Sequence, residues 1–205
     1  KAEVELREVL DEICGENNYR VNEGDGAFYG PKIDIKMKDC LGREWQMGTI
    51  QLDFQLPLRF NLEYTDSNGE KKVPIMVHRA LFGSFERFIG ILTEHFAGAF
   101  PVWIMPEQVR VMTISEKFSD YAKEINDKLL DAGIKSELDN RSETIGKKIR
   151  EAQLQKIPYM LIIGENEMQN GTVAVRRRGK GDIGSMTLEQ LIASVEKDIN
   201  EKTVD

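Results

Sequence analysis

The stretch Met76-Val77-His78-Arg79-Ala80-Leu81-Phe82-Gly83-Ser84-Phe85-Glu86-Arg87-Phe88-Ile89-Gly90-Ile91-Leu92 constrains this chain more than any other. It reads as the end of a strand that runs into a helix. Phe82, Phe85, Ile89, Leu92 and Phe96 recur at helical spacing, which predicts a buried stripe. Gly83, Arg87 and Gly90 form a second stripe, bare except for one guanidinium. Glycine inside a helix costs about 1 kcal/mol relative to alanine, so two on one face predict that something comes close to the backbone there. A planar fork of permanent charge between two bare positions suits a phosphate or a flat aromatic base.

Upstream, Glu3 to Cys14 has helical periodicity, with Val4, Leu6, Val9, Leu10 and Ile13 roughly on one side, and Glu16 to Gly26 is a polar loop. Lys32 to Lys38 alternates strictly, a turn follows at Asp39 to Gly42, and Arg43 to Phe54 returns as a second strand. Residues 64–70 form another turn, and Val73 to His78 is the next strand. This order predicts an antiparallel sheet with helices on it.

Phe100-Pro101-Val102-Trp103-Ile104-Met105-Pro106 biases the backbone toward an extended connector. A domain boundary is placed there, giving domains 1–105 and 106–205. Beyond it, strands at 108–114, 134–138, 158–163 and 171–176 alternate with helices at 118–132, 144–155 and 188–199. That order predicts a mixed sheet covered by helices. Thr187 and Gln190 are spaced as a capping box for the last helix.

The fold class is therefore α/β (α+β), an antiparallel sheet with helices followed by a mixed-sheet α/β domain. The 205 residues carry a net charge of -7, which argues against nonspecific nucleic-acid binding. Neither half is basic, with 12 basic and 17 acidic residues before Pro106 and 16 and 18 from it onward. Positive charge is clustered all the same, in Arg176-Arg177-Arg178-Gly179-Lys180 and in Arg141, Lys147, Lys148 and Arg150. Such a patch on an acidic body suits a partner gripped at one place. The alternatives are a strand end with a solvated loop for the first group, and for Lys147 and Lys148 a wet helical face above Ile145 and Ile149. Two widely spaced cysteines, Cys14 and Cys40, make neither a disulfide framework nor a CxxC zinc site, and no apolar run reaches membrane-spanning length.

His78-Arg79-Ala80 followed by Gly83-Ser84-Phe85-Glu86-Arg87-Phe88-Ile89-Gly90 resembles motif 3 of the class II aminoacyl-tRNA synthetases. The histidine at the strand end matches the threonyl-specific members of that family. Gly26-Ala27-Phe28-Tyr29-Gly30-Pro31-Lys32-Ile33-Asp34 and Trp45-Gln46-Met47-Gly48-Thr49-Ile50-Gln51-Leu52-Asp53-Phe54 resemble it too, and the likeness runs nearly to the end of the chain.

The resemblance implies a cytoplasmic, homodimeric ligase that joins threonine to its tRNA through an adenylate, with ATP and Mg as substrate. It assigns Arg87 to the ATP phosphates as the catalytic residue. Tyr29, Lys32, Gln46, Thr49, Gln51 and Ser84 fall around the amino acid and adenylate. His78 becomes one ligand of a zinc ion, whose other ligands, a cysteine and a second histidine, lie earlier in the family's catalytic domain. Motifs 1 and 2 are not found in this sequence, so the chain is expected to be a C-terminal piece and inactive alone. In the second half the resemblance implies anticodon contacts at Arg141, Ser142, Arg150, Glu167 and Arg176. Met47 stands where other members carry cysteine, and Ser142 where they carry asparagine. On one strand, Thr49 and Gln51 share a face, and Gln46 takes the other unless a bulge intervenes; Gly48 makes that bulge plausible. The alternatives are a non-catalytic tRNA-binding or regulatory protein of the same domains, or another class II synthetase such as the prolyl enzyme.

Overall fold

A computed structural model describes residues 2–16 and 18–204. Asn17, inside the loop expected over 16–26, lies outside the described residues. The chain packs as two compact units, one ending at Ile91 and the other beginning at Leu92.

The first unit runs α1 (Ala2–Cys14), β1 (Lys32–Lys38), β2 (Glu44–Asp53), α2 (Leu56–Arg59), β3 (Tyr64–Thr65), β4 (Lys71–Lys72), β5 (Met76–Ala80) and the start of α3 (Phe85–His95). Its sheet is antiparallel, in the order β1-β2-β5. The β1–β2 turn is tied by Asp39, which accepts from the Leu41 and Arg43 amides at 2.9 Å each, from Arg43 Nε at 2.6 Å and from Trp45 Nε1 at 3.0 Å. The Trp45 bond leads a set that outweighs desolvation and holds the Asp39 carboxyl at about 2. Gly42, at φ 77°, supplies the left-handed turn residue.

The first part of the expected buried stripe faces solvent: Phe85 is 85% exposed and Ile89 56%, whereas Leu92 and Phe96 are half-buried. Periodicity selects the face of a helix; it does not supply a surface to cover that face. The glycine argument also changes. Gly83 precedes α3, at φ 72°, so it serves the bend between strand and helix. A Cβ on Gly90 would meet nothing within 4 Å.

The second unit begins within α3. It continues through a 3₁₀ turn (Val102–Ile104), β6 (Val109–Thr113), a second 3₁₀ turn (Glu116–Phe118), α4 (Ser119–Asp131), β7 (Ser136–Asp139) and α5 (Ile145–Leu154). It ends with β8 (Tyr159–Ile163), α6 (Glu165–Asn170), β9 (Thr172–Arg177), β10 (Gly181–Thr187) and α7 (Leu188–Asn200). The sheet order is β10-β9-β8-β6-β7; β6, β7 and β8 are parallel, and β9 and β10 antiparallel.

Every residue of β6 is buried, because helices cover both faces. Val109, Val111, Leu161 and Val175 pack with Ala122, Ile125 and Leu129 of α4 and Leu191 and Val195 of α7. Met112 and Met160 face the other way, toward Ala152 and Ile157. The capping box of α7 is formed: Gln190 N donates to Thr187 Oγ1 at 3.3 Å and Thr187 N to Gln190 Oε1 at 3.1 Å.

In this unit one strand and one α-helix were not anticipated. Strand β10 is mostly exposed and contains Gly181, Gly184 and Ser185, so it has no apolar alternation to announce it. Helix α6 is one short, polar turn-and-a-half ended by Gly171 at φ 65°.

Arg177 leaves the expected basic patch. Its Nη2 lies 2.9 Å from Asp198 Oδ2, and its guanidinium stands 5.2 Å from the Tyr159 ring centre. Tyr159 donates to the same carboxylate oxygen at 2.7 Å, and Thr203 donates to Oδ1 at 3.0 Å. Burial, opposed by the Ser194 bond and reinforced by Asp198, pushes the Tyr159 hydroxyl up to about 12. Asp198→Ala removes the carboxylate shared by Arg177 and Tyr159 from a nearly buried network and should cost roughly 3–5 kcal/mol. Urea unfolding checks this, and a loss under about 1 kcal/mol, the scale of an exposed pair, contradicts it.

Candidate functional site

Strands β1, β2 and β5 bring most of the catalytic-half candidates onto one sheet face. Cross-strand partners share a face, and the register pairs Lys32 with Gln51, Asp34 with Thr49, Gln51 with His78 and Thr49 with Ala80. The register shifts between Ile35 and Lys36: Ile35 lies opposite Gly48 and Lys36 opposite Gln46. Met47 is the extra residue of a bulge. This irregularity moves Gln46 into the row of Thr49 and Gln51, which regular alternation forbids. A Cβ on Gly48 would stand 3.1 Å from Ile35 Cδ1 and 3.4 Å from the Ala80 carbonyl oxygen. Gly48 thus serves strand packing at the bulge.

The row is wired by carboxylates. Asp34 accepts from Gln46 Nε2 at 2.7 Å and pairs with Lys32 Nζ at 2.7 Å, and Asp25 approaches Lys32 at 3.7 Å. The Asp34 bond is the leading effect that raises the Lys32 amine above its ordinary value, against desolvation. Tyr29 donates its hydroxyl to Gln51 Oε1, and its ring centre lies 5.4 Å from that of His78. Gly30 seats Tyr29 there: a Cβ at Gly30 would come within 2.0 Å of the Leu52 carbonyl oxygen. Among these groups, Thr49 Oγ1 is buried with no hydrogen-bond partner. A hydroxyl buried this way costs free energy until something bonds it.

Asp53 was not among the sequence candidates, yet it orients His78. Its 0% exposed carboxylate accepts from the amides of Gln55 and Leu56 through Oδ1, at 2.9 Å each, and from His78 Nε2 through Oδ2 at 2.8 Å. Burial pushes the Asp53 carboxyl up, but His78 and the two amides outweigh it and hold it below its ordinary value. A carboxylate oxygen can only accept, so Nε2 carries the proton of this bond and Nδ1 is left outside it. The available signal was Asp53 standing two residues ahead of Gln55-Leu56-Pro57, a helix-start pattern. No group of three or more His, Cys, Asp or Glu side chains able to hold a metal forms among the described residues.

Ser84 and Arg87 are contributed by the bend and first turn of α3. Ser84 Oγ accepts from the Arg87 amide at 3.4 Å. The Arg87 guanidinium lies 5.6 Å from the Trp45 ring centre, and that of Arg43 lies 5.3 Å from it. Trp45 is anchored in turn by Asp39.

In the second unit, Arg141 and Ser142 follow the carboxyl end of β7, and Glu167 follows that of β8. In an open α/β sheet, this edge is where ligands bind. Arg141 donates through Nε to Asp139 Oδ1 at 2.8 Å and through Nη2 to Asp139 Oδ2 at 2.6 Å and Glu151 Oε2 at 2.7 Å. Its two Nη1 protons take no part in these bonds. Ser142 is exposed, as is Arg150 on α5. Glu167 accepts from the Gly164 amide at 3.0 Å and so caps α6.

Arg176 sits elsewhere, opposite Met160 near the start of β8. It lines a cavity of about 510 Å³ with Gln153, Lys156, Ile157, Arg177 and Arg178. Its Nε is buried without a partner, and its Nη1 lies 3.7 Å from Asp182. Arg178 donates to the carbonyls of Lys156 at 2.7 Å and Phe100 at 2.8 Å. Of the expected cationic run, Arg177 and Arg178 are thus engaged with the protein. Lys147 pairs with Glu143 at 2.5 Å, on the wet face allowed for it. Lys148 does not share that face; it is buried.

Residues 4–96 match the family model described as "tRNA synthetase class II core domain (G, H, P, S and T)", and residues 108–198 match "Anticodon binding domain". The threonine–tRNA ligase of Clostridioides difficile (strain 630) is 59% identical over 201 residues, 98% of this chain and 31% of that protein. That of Clostridium novyi (strain NT) is 61% identical over 185 residues, 90% of this chain and 29% of that protein. A crystal structure of the RNA-binding domain of threonyl-tRNA synthetase from Cryptosporidium parvum Iowa II superposes with a TM-score of 0.81 at 45% identity, covering 96% of this chain and 49% of that one. The chain spans under a third of the length of these curated relatives.

The lowered Asp53 carboxyl fixes a direction for pH. Its stabilising effect is complete above the ordinary carboxylate value of 3.8 and is lost as pH falls through the lower folded value. Asp53→Asn should therefore melt below the wild-type chain at about pH 7, and the gap should narrow as the pH falls below the ordinary carboxylate value. Circular-dichroism melts from about pH 7 downward through that value check it; a constant gap contradicts it.

Proposed function

Because this chain belongs to the threonine–tRNA ligase family of class II synthetases, we propose that its protein joins threonine to the matching tRNA through a threonyl-adenylate, consuming ATP with Mg. The observation that carries the reading is the sheet face with Lys32, Gln46, Thr49, Gln51 and His78 in one row around an unbonded Thr49 hydroxyl. A row of fixed donors and acceptors suits a reaction whose chemistry is positioning and charge stabilisation. In this reading the threonine carboxylate attacks the α-phosphate and pyrophosphate leaves. Tyr29, Lys32, Gln46, Thr49, Gln51 and Ser84 hold the amino acid and adenylate, and Arg87 neutralises ATP phosphate charge.

His78 is proposed as one zinc ligand through Nδ1. The Asp53–His78 bond supports this, since a carboxylate on one ring nitrogen orients the other toward a metal. A complete zinc site needs about four ligands, and the described residues do not assemble three; no step is routed through the metal. When bound, zinc would grip the amino and hydroxyl groups of threonine, and a hydroxyl-specific contact rejects an apolar isostere far better than shape does.

Residues 106–205 are proposed as the anticodon-binding domain and 1–105 as part of the catalytic domain. Arg141, Ser142, Arg150, Glu167 and Arg176 are the proposed anticodon contacts. Arginine offers guanine a bidentate fork, and a carboxylate accepts from the cytosine amino group. A homodimer in the cytoplasm completes the proposal. No helix among the described residues is long and apolar enough to cross a membrane.

Two outcomes test the reading. In the full-length enzyme, Arg87→Ala should slow threonine-dependent pyrophosphate exchange by about 10²–10³ with an unchanged melting curve, because Arg87 is exposed. An unchanged exchange rate rejects the assignment. In tRNA filter binding, Arg176→Ala and Glu167→Gln should each cost roughly 1–3 kcal/mol and relax the choice at one anticodon base, whereas Lys147→Ala should weaken all tRNAs alike. Glutamine is the informative replacement at 167, since it retains an acceptor for the Gly164 amide. Anticodon-swapped tRNAs that bind the wild type as well as the matched one reject the domain's role.

A further inference from the structure

Lys148 has no part in the reading above, and its surroundings are unusual for a lysine. It is 1% exposed. Its ammonium donates to the Thr113 carbonyl at 2.9 Å, to Thr113 Oγ1 at 3.3 Å and to the Asp139 carbonyl at 3.1 Å. None of these acceptors carries a formal charge. The Asp139 carboxylate is turned to Arg141 instead. A buried ammonium with only neutral acceptors is costly, and an apolar chain of similar volume fills such a space without that cost. Burial pushes the Lys148 amine below its ordinary value.

Three elements meet at this nitrogen. Thr113 ends β6, Asp139 ends β7, and Lys148 lies on α5. The bond to the Asp139 carbonyl fixes the backbone of the residue whose side chain grips Arg141. The remaining Arg141 partner, Glu151, is on α5 as well, three residues beyond Lys148. Both supports of the Arg141 fork are therefore joined through one ammonium. Without it, the end of β7 and the helix lose their shared anchor, while Asp139 and Glu151 keep their charges.

We infer that Lys148 is a positioning residue for base discrimination: it holds the Asp139–Arg141–Glu151 assembly at the carboxyl edge of the sheet and touches no RNA itself. This rests on the proposal that Arg141 contacts the anticodon. A residue of this kind acts on selectivity. A phosphate contact acts on affinity and on its salt dependence.

The test is filter binding of the 205-residue chain to a tRNA bearing a threonine anticodon and to its anticodon-swapped copy, at two salt concentrations. Lys148→Met should reduce the ratio of the two affinities about tenfold and leave the salt slope unchanged. Lys148→Arg, which keeps charge and donors, should recover part of the ratio. If Lys148→Met does not fold, Thr113→Val decides, because it deletes one acceptor of the ammonium and keeps the backbone; its ratio should fall about twofold or more, the effect of a weak hydrogen bond. A folded Lys148→Met or Thr113→Val chain with the wild-type ratio overturns the inference alone, as does an equal loss for both tRNAs. A wild-type chain that binds both tRNAs equally overturns the anticodon reading and the inference with it.

Discussion

The functional groups of this protein are held by carboxylates that have little access to water. A carboxylate removed from solvent must receive hydrogen bonds from its neighbours, so it fixes them as firmly as they fix it. Asp53 takes two backbone amides on one oxygen and His78 on the other. Asp34 joins Lys32 to Gln46 across the bulge. Asp39 pins the indole over which Arg87 stands. Asp139 holds Arg141, and Asp198 holds Arg177. Each candidate cation or imidazole is thereby aimed before any ligand arrives, which lowers the ordering cost of binding. The two units use the same device on unrelated sheets.

Much of this was legible in the residues, and the failures have identifiable causes. The β1–β2 hairpin, a strand expected over 73–78 and found at Met76–Ala80, and the amphipathic helices α4, α5 and α7 announce themselves in the sequence pattern. Strand β10 does not, because an exposed edge strand needs no apolar alternation. The bulge at Met47 was foreseen only as a condition, since a single inserted residue leaves no periodic trace, yet it decides whether Gln46 joins the row. Asp53 and Lys148 were passed over for opposite reasons. One looks like a strand-end acid and the other like half of a wet lysine pair, and burial separates each from its ordinary counterpart. Burial is a property of the packed chain, and residue type predicts it poorly for charged groups.

The two units differ in how completely they cover their own apolar residues. The second buries a continuous set from Val102 to Val195 on one sheet face and a methionine-rich set on the other. In the first, Ile35, Met37, Val77, Phe82 and Phe85 are all exposed. The polar row of the candidate catalytic site is already internally bonded beside these uncovered side chains, so its geometry does not wait on their burial.

Charge pairing also bears on the RNA contact proposed for the second unit. Arg110 is paired with Glu107, Lys123 with Asp127, Lys128 with Glu124, and Lys147 with Glu143. Arg141 spends three N–H groups on Asp139 and Glu151. Paired cations release fewer counterions from a phosphate backbone, and sequence-independent attraction is left to exposed lysines such as Lys117, Lys135, Lys156, Lys180 and Lys197. The directional groups are two Nη1 protons on Arg141, an exposed Arg150, and Arg176 on a cavity wall with an unbonded Nε. Groups of that kind reward a base edge in the right place and contribute little to a generic strand. Arginines held in this way fit the proposed reading of an anticodon, in which a base edge in the right place is rewarded.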